Sequence, residues 1–525
     1  MVRNGTVISG AGASIPVYQS AGAIFRLRNQ AWNEQPRGSH RPLLFISNSD
    51  TLATSLTPTN PFNTGDPMPF KKMLFLWLVV SVLVVPASSQ SLLRVETDAQ
   101  KAERMKWWTQ ARFGMFIHWG LYALPARHEW VKNYEHITDE DYQKYFDVFN
   151  PDLFNPKEWA QMAKCAGMKY FVITAKHHEG FCLWDSKFTD YKATKTKYDK
   201  DLLKPVVQAF REEGIKVGFY YSLLDWHHPD YTVDRNHPMY NNEEFKKNAA
   251  ARDMKKYREY LFNQVREILT EFGTVDCLFL DYSFPKGKDG RGRNDWDSEK
   301  LLAMVRELQP NIIVNDRLDL DDVPGGWDFK TPEQFIPREW ITVNGKKVPW
   351  ETCQTFSDSW GYYRDEEGWK SPQQLVALLV ETVSKGGNLL LNVGPTSRGT
   401  FDERAKDRLQ EMGNWMKLHN RSIYGCTQAP PEFKAPDNCL LTYNPQTKRL
   451  YIHVLTWPLG NLFLNGFAGK FKYAQLLHDG SEVQFGKADR PFQNKLDTIG
   501  SETVILKLPL TKPGPVVPVI ELILN

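Results

Sequence analysis

The sequence predicts an α/β protein: a TIM-type (β/α) barrel followed by a C-terminal β-sandwich. Short apolar runs alternate with amphipathic helical segments over roughly 310 residues, which favours a parallel barrel over an open sheet. Runs such as Leu278–Leu280 are apolar throughout, as in strands that are buried on both faces. After Cys426 the pattern changes to short strand-like runs between Gly, Pro and Asn turns, without helical periodicity. This change indicates the sandwich.

Composition narrows the class of protein. The 525 residues have a mass of 60.7 kDa and are 42% hydrophobic, enough for two or three domains with real cores. Basic and acidic residues nearly balance, 65 against 62, and no basic block is present, so we expect no nucleic-acid partner. The six cysteines lack CxxC or zinc spacing, which predicts buried thiols. The 17 tryptophans suit sugar faces as well as cores.

The N-terminal segment resembles an export signal in an unusual place. Residues 1–67 are rich in Gly, Ser, Asn, Thr and Pro, which is typical of a disordered extension. Residues 68–89 then combine Lys71 and Lys72, an apolar run and a small-residue end at Ser89, as in a secretory signal peptide. We predict that Met68 is the true start, that 1–67 is an upstream translation artefact, and that the protein is exported to a periplasm, a lysosome or the extracellular medium. An internal membrane anchor or a buried strand is the alternative.

The barrel domain is expected over residues 90–426 and the sandwich domain over residues 427–525. The helix after Asn155 has a capping residue, Pro156 at its first position and Gly167 at its end. The predicted barrel elements are, in order, strand 112–120, helix 155–167, strand 169–180, helix 202–214, strand 216–222, a long helix from about 243 to 272, strand 275–281, helix 297–309, strand 311–317, helix 371–387, strand 388–394 and helix 401–419. Between 317 and 371 the sequence is irregular and aromatic-rich. In the sandwich domain the clearest strand-like runs are 450–457 and 503–510.

Polar residues stand at the carboxyl ends of five successive predicted strands. A single Asp or His in such a place is ordinarily a turn, a helix cap or a structural group. Five in succession favour a site, because the carboxyl ends of all barrel strands open onto one face. These residues are His118; His177 and His178; Tyr220 and Tyr221; Asp281; and Arg317.

The chemistry of this set is limited by what the sequence lacks. It contains no HExxH or HxH spacing for a metal, no GxSxG for a serine nucleophile, and no glycine-rich phosphate loop, so we expect neither a metal nor another cofactor. The carboxylates, histidines, arginine and aromatic residues that remain are suited to hydrolysis of a glycosidic bond by a pair of carboxylates.

Ten short motifs also resemble, in order, those of the alpha-L-fucosidases of glycoside hydrolase family 29. They are FGMFIHWG, EWV, AKHHEGFCLWDS, GFYYSLLDW, VDCLFLD, VNDR, DFKTPEQ, WETC, SWGY and NLLLNVGP. The resemblance covers the chain from about Arg104 to Gly425. The sequence departs from the family at Phe279, where many members have Trp, at Val131, where Tyr is usual, and at Arg398, where an acidic residue is often seen.

The resemblance implies a retaining exo-alpha-L-fucosidase that acts on fucosylated glycans or glycoconjugates, with no stable membrane anchor and as a possible homo-oligomer. It implies Asp281 as the nucleophile and Glu333 as the acid/base. Glu351, in the same irregular region, competes for the second role. The implied substrate-binding residues are His118, Glu129, Trp130, His177, His178, Tyr220, Tyr221, Arg317 and Trp360.

Two alternatives to this function stay open. One is a related exo-glycosidase that acts on a sugar of similar shape. The other is a carbohydrate-binding protein without catalysis, which the presence of both Asp281 and Glu333 disfavours.

Overall fold

The computed structural model describes residue 93, residues 95–487, residue 500 and residues 502–525. The predicted extension (1–67) and signal peptide (68–89) lie outside the described residues. The strands of the first part are β1 (Phe113–Ile117), β2 (Tyr170–Lys176), β3 (Lys216–Ser222), β4 (Cys277–Asp281), β5 (Ile313–Val314), β6 (Thr342–Val343), β7 (Lys346–Lys347), β8 (Glu351–Thr355) and β9 (Asn388–Val393). The helices are α1 (Asp98–Ala111), α2 (Val131–Tyr134), α3 (Asp139–Val148), α4 (Pro156–Cys165), α5 (Leu203–Glu212), α6 (Glu243–Asn248), α7 (Met254–Thr270), α8 (Arg293–Trp296), α9 (Ser298–Leu308), α10 (Pro372–Ser384) and α11 (Glu403–His419).

Seven strands form one parallel sheet in the order β5-β4-β3-β2-β1-β9-β8. The segment 328–334 lies between its two edge strands and bonds to both. Asp328 N donates to Val314 O of β5 at 2.8 Å, whereas Glu351 N of β8 donates to Lys330 O at 2.9 Å and Gln334 N donates to Cys353 O at 3.0 Å. Parallel bridges on both sides let this irregular segment act as an eighth strand, which closes the sheet into a barrel.

The barrel has an aromatic interior. Alternate strand residues point inward, and Phe116, Tyr220 and Phe279 pack together there with ring centroids 5.3 to 5.9 Å apart. The other side chains of the same strands pack against the helices in a separate, larger core. Helix α1 covers the amino ends of the strands, where Trp108 is buried and its carbonyl accepts from Asn388 Nδ2 at 2.8 Å. The opposite end is left for a site.

The C-terminal part is an antiparallel β-sandwich. Its strands are β10 (Thr427–Gln428), β11 (Cys439–Asn444), β12 (Arg449–Val454), β13 (Asn461–Leu464), β14 (Phe471–Leu476), β15 (Phe485–Lys487), β16 (Val504–Lys507) and β17 (Val519–Leu524). They form two sheets, β10-β11-β12-β17-β14 and β13-β16-β15. Buried side chains from both sheets, including Ile452, Leu464 and Leu506, make a core of their own. The predicted fold class, a barrel followed by a sandwich, is confirmed.

Two element predictions need correction. The long helix predicted over 243–272 is divided into α6 and α7, because Arg252 is extended and the carboxylate of Asp253 accepts from Lys255 N at 2.9 Å and so caps a new helix. The strand predicted over 311–317 is regular only at 313–314, and Asn315 adds an isolated parallel bridge to Phe329.

The predicted thiols are present: all six cysteines are free, and five of them are buried. Among the described helices, none has the length and apolar character needed to cross a membrane.

Candidate active site

Asp281 is the last residue of β4, and its carboxylate lies at the carboxyl end of the barrel. It accepts a hydrogen bond from Tyr220 Oη at 2.7 Å and another from Arg317 Nη1 at 2.7 Å. Burial by itself would raise the pKa of this carboxyl, but the charge of Arg317, together with the hydrogen bonds from Tyr220 and Arg317, outweighs burial and holds the pKa below its ordinary value. Asp281 is therefore a buried carboxylate that stays ionised.

Glu333 is the second carboxylate at this end. It lies near the end of segment 328–334, which closes the barrel, and its Oε2 accepts from Arg317 Nη2 at 2.8 Å. Its side chain is 42% exposed, whereas that of Asp281 is 11% exposed. One guanidinium therefore bonds the two carboxylates through neighbouring nitrogens, and the open side of the site is the side of Glu333.

The residues that follow the two carboxylates have unusual backbone conformations. Tyr282 has φ 85° and Gln334 has φ 60°, both in the left-handed region that side chains other than glycine rarely adopt. Each turn ends a strand abruptly, so that the carboxylate before it stays on the barrel rim while the chain leaves the sheet.

Three histidines, His118, His177 and His178, surround the space beside Asp281. Their ring centroids lie 5.6 Å apart for the first two and 4.0 Å apart for the last two. Burial lowers the pKa of His118 to about 3 and that of His178 to about 4, and it lowers the pKa of His177 well below its ordinary value. All three imidazoles are therefore neutral near neutral pH.

The hydrogen-bond network assigns the proton in two of these rings. His118 Nδ1 lies 2.7 Å from Asn392 Oδ1, which can only accept. His178 Nδ1 lies 2.6 Å from the Ser222 hydroxyl, which donates its own proton to Leu224 O. Both Nδ1 atoms therefore donate, and both Nε2 atoms are left as acceptors for hydroxyl groups.

Aromatic walls flank the histidines. Trp360 lies against His118 with ring centroids 5.1 Å apart, and Trp130 meets His178 edge-on at 5.1 Å. Glu129 fixes the loop that carries Trp360, since its Oε2 accepts from the backbone N–H of Trp360 at 3.1 Å and of Gly361 at 2.9 Å. Glu129 Oε1 is buried and has no hydrogen-bond partner among the described residues, and His128 Nδ1 lies 3.2 Å from it.

One predicted site residue does not belong to this group. Tyr221 points to the opposite face of β3, where its hydroxyl donates to Gln264 of α7 at 2.9 Å. Successive residues of a strand face opposite sides, so Tyr220 and Tyr221 cannot both reach the barrel mouth. The structure brings the other ten predicted site residues together.

Three residues of the site were missed by sequence reasoning: Asn392, Ser222 and Tyr282. Ser222 is the last residue of β3 and Asn392 the last but one of β9, and a polar residue near the carboxyl end of a barrel strand is a signal that the sequence carries. Tyr282, whose ring lies 4.9 Å from that of His178, gives no such signal, because its position depends on the turn after Asp281.

Glu351, the competing carboxylate, lies at the other end of the barrel. It is the first residue of β8, whereas Asp281 is the last residue of β4. Its Oε2 accepts from Trp108 Nε1 at 3.3 Å and from the Tyr170 hydroxyl. Burial raises the pKa of Glu351 to about 8, against the effect of these two hydrogen bonds. Glu351 cannot share a substrate with Asp281.

Taken together, the mouth of the barrel holds an ionised carboxylate, a second and more exposed carboxylate, neutral imidazoles and indole walls. Within the described part of the chain, no three His, Cys, Asp or Glu side chains are grouped as metal ligands. The pair of carboxylates suits acid/base and nucleophilic chemistry at a sugar, and the rings suit an uncharged polyol with one apolar edge.

Comparisons with known proteins agree with this chemistry. The family model described as alpha-L-fucosidase matches residues 82–421. The chain is 31% identical over 391 residues to the plasma alpha-L-fucosidase of Homo sapiens, covering 68% of this chain and 78% of that protein.

Solved structures give the same result. Alpha-L-fucosidase isoenzyme 1 from Paenibacillus thiaminolyticus is 44% identical with a TM-score of 0.75, covering 81% of this chain and 99% of its own. An alpha-L-fucosidase from Bacteroides thetaiotaomicron, solved as a trapped covalent intermediate with 2-fluoro-fucosyl fluoride, is 29% identical with a TM-score of 0.68, covering 81% of this chain and 96% of its own.

Proposed function

Because the chain belongs to the alpha-L-fucosidase family of glycoside hydrolases, we propose that it removes terminal alpha-L-fucosyl residues from glycans or glycoconjugates by double displacement, with net retention. The observation that carries the proposal is the pair Asp281 and Glu333, bonded to one guanidinium at the mouth of the barrel. Retaining enzymes need two carboxyl groups about 5 Å apart, one as nucleophile and one as acid and then base.

Asp281 is the nucleophile in this proposal. Its carboxylate attacks the anomeric carbon and forms a β-linked ester, while the bond to the glycosidic oxygen breaks and that oxygen takes a proton from Glu333. In the second step Glu333 removes a proton from water, which attacks the anomeric carbon, and the bond from that carbon to Asp281 breaks so that Asp281 leaves as a carboxylate. Arg317 supports both steps because its charge stabilises Asp281 as a leaving group and holds Glu333 nearby.

The side chains that line the pocket explain how it would recognise fucose. The Nε2 atoms of His118 and His178 accept hydrogen bonds from sugar hydroxyls, and Oε1 of Glu129 is a further acceptor. Fucose lacks a hydroxyl at C6, so its methyl group needs an apolar wall, which Trp360 or Trp130 supplies. Phe116 and Phe279 are buried and pack together, and Phe116 lies against His118 and Trp360, so these rings close the pocket from below. We expect a pocket closed in this way to take the end of a glycan chain.

The test is the stereochemistry of the first product. Proton NMR during hydrolysis of an aryl alpha-L-fucoside should show alpha-L-fucose first, and the beta anomer should appear only by mutarotation. The beta anomer as the first product would exclude the double displacement. An aryl beta-D-galactoside in parallel separates fucose from a sugar of similar shape.

We also propose that the protein is exported, with the signal peptide at residues 68–89 removed and the mature chain organised as a barrel domain (90–426) and a sandwich domain (427–525). The names of relatives such as the plasma alpha-L-fucosidase of Homo sapiens support this. N-terminal sequencing of native protein should give a start near Gln90. A secreted form that retains residue 1 contradicts the proposal.

A further inference from the structure

We propose that the exposed ring of Tyr134 binds the pyranose ring to which the fucosyl residue is linked, and so forms a leaving-group subsite at the rim of the pocket. The inference rests on the proposed function, because it takes Glu333 as the acid that protonates the leaving oxygen. Tyr134 ends the short helix α2 and is 61% exposed. A single exposed aromatic residue is ordinary, so the case depends on where this ring stands.

Aromatic rings lead in contact from the pocket to Tyr134. His178, which is buried beside Asp281, meets Trp130 edge-on at 5.1 Å between centroids. Trp130 is half-buried and lies nearly parallel to Tyr134, at 6.0 Å and an interplanar angle of 28°. Tyr282 joins this wall at 5.5 Å from Trp130. The wall therefore passes from the sugar pocket to solvent through rings of increasing exposure.

The proposed reaction determines which side of the pocket the leaving group occupies. The glycosidic oxygen must lie within hydrogen-bond reach of Glu333, and the floor of the pocket is closed, so the rest of the glycan leaves through the open side. Tyr282 directly follows Asp281 in the chain, and its ring contacts that of His178 at 4.9 Å and that of Trp130 at 5.5 Å between centroids. Trp130 in turn contacts Tyr134. These ring contacts connect the reacting carboxylate Asp281 with Tyr134.

The helix that carries Tyr134 is held from both sides. Asn133 Nδ2 donates to Asn236 O at 2.7 Å, and Arg127 makes a two-pronged ion pair with Glu135, with both distances 2.7 Å. A ring on a fixed helix turn loses little conformational freedom when a ligand binds to it. The ring of Tyr134 is thus exposed to solvent while its backbone is held in place by the contacts of α2.

The chemical class of the occupant follows from the ring. A tyrosine face packs against the C–H face of a pyranose and leaves the sugar hydroxyls in water. We therefore expect one uncharged pyranose of the glycan, such as N-acetylglucosamine or galactose, on Tyr134. A leaving group without a ring gains nothing from this contact.

The experiment compares two substrates in four proteins. The substrates are alpha-L-fucosyl fluoride, whose leaving group is a single atom, and the fucosyl-N-acetylglucosamine disaccharide that the wild type cleaves fastest among the linkage isomers. The proteins are the wild type, Tyr134→Ala, Tyr134→Phe and the control Phe335→Ala. Phe335 is 58% exposed and near Glu333 in sequence, but Thr352 Oγ1 donates to its carbonyl at 2.9 Å on the outer face of β8.

Tyr134→Ala should lower kcat/KM for the disaccharide about tenfold and change kcat/KM for the fluoride less than about twofold. Tyr134→Phe should behave as the wild type, because it keeps the ring face, and Phe335→Ala should affect neither substrate. Equal losses on both substrates, no loss on the disaccharide, or a selective loss in Phe335→Ala overturns the inference. A wild type that cleaves neither substrate contradicts the proposed function itself, which keeps the two failures distinguishable.

Discussion

Asp281 and Glu351 are buried carboxyl groups at opposite ends of the same barrel, and each accepts a hydrogen bond from a buried tyrosine. Burial raises the pKa of Glu351 to about 8, so this group holds its proton at neutral pH. Burial acts in the same direction on Asp281, yet the pKa of Asp281 lies below its ordinary value.

The second donor explains the difference. Glu351 receives the neutral N–H of Trp108, whereas Asp281 receives the charged guanidinium of Arg317. A neutral donor does not compensate for the loss of water around a charge, whereas a cation in contact with the carboxylate does. Burial of a carboxylate at a strand end therefore does not identify a nucleophile. A buried carboxylate with a cation in contact with it stays ionised and is therefore a better candidate for a nucleophile.

The largest expected effect is a difference in kcat between variants of Asp281 and variants of Glu351. Asp281→Gly should lower kcat on every fucoside by roughly 10⁴-fold, because the first step loses its nucleophile, and Glu351→Gln should leave kcat within about threefold of the wild type. Rates on an aryl fucoside check both. Azide added to Asp281→Gly should form beta-L-fucosyl azide, since the small anion attacks from the vacated face.

Two results would break this comparison. One is a Glu351→Gln variant that folds normally but is as inactive as Asp281→Gly. The other is the formation of alpha-L-fucosyl azide by the Asp281→Gly variant.

The second effect tests the role of Glu333 as the acid/base by comparing substrates with poor and good leaving groups. Glu333→Ala should slow cleavage of natural disaccharides by about 10²- to 10³-fold, because their leaving groups need a proton, and it should spare the first step on an activated aryl fucoside. Azide should restore turnover and yield alpha-L-fucosyl azide, since it replaces the activated water. The same dependence and rescue in Glu351→Ala, but not in Glu333→Ala, would exchange the two roles.

Much of the barrel could be predicted because its signals are local. Apolar runs gave β2, β3, β4 and β9, and the cap at Asn155 with Pro156 gave the start of α4. The segment 328–334 could not be recognised as the closing strand, because its bonds come from β5 and β8 and its sequence has no strand pattern. Because this segment was not recognised, the sequence could not distinguish Glu333 from Glu351, although Glu333 lies near the end of the closing segment and Glu351 is the first residue of β8.

The site was predictable in its residue types and less so in its orientation. Polar strand ends pointed to His118, His178 and Asp281, but the choice between Tyr220 and Tyr221 depends on the facing of β3, which a run of apolar residues leaves open. A strand buried on both faces has no alternation that could reveal its orientation.

The third effect concerns stability at the closed end. The ordinary pKa of a glutamate carboxyl is 4.5, and burial raises the pKa of Glu351 to about 8 in the folded protein. Between pH 4.5 and about pH 8, Glu351 therefore loses its proton in the unfolded chain but keeps it in the folded protein. Its contribution to the free energy of unfolding is therefore fully present below pH 4.5 and is lost as pH rises through 8.

Glu351→Gln imitates the protonated form and should lack this loss. Relative to the variant, the wild type should become less stable between pH 5 and pH 9 by on the order of 3 kcal/mol. Urea unfolding of both proteins at pH 5, 7 and 9 measures the difference. Parallel pH dependence in the two proteins would mean that Glu351 does not hold its proton in the folded state.

The smallest effect compares the two tyrosines. Tyr220→Phe removes a donor that stabilises the charged form of Asp281, so the pKa of Asp281 should rise and the acid limb of kcat/KM against pH should move upward by about one unit. Tyr170→Phe removes the corresponding hydroxyl from Glu351 and should leave that limb in place, because Glu351 takes no part in the reaction. Both variants lose one buried hydroxyl, so a general loss of stability would act on both alike. A shift of the acid limb in Tyr170→Phe, or its absence in Tyr220→Phe, would show that the ionisation of Asp281 does not set the acid limb.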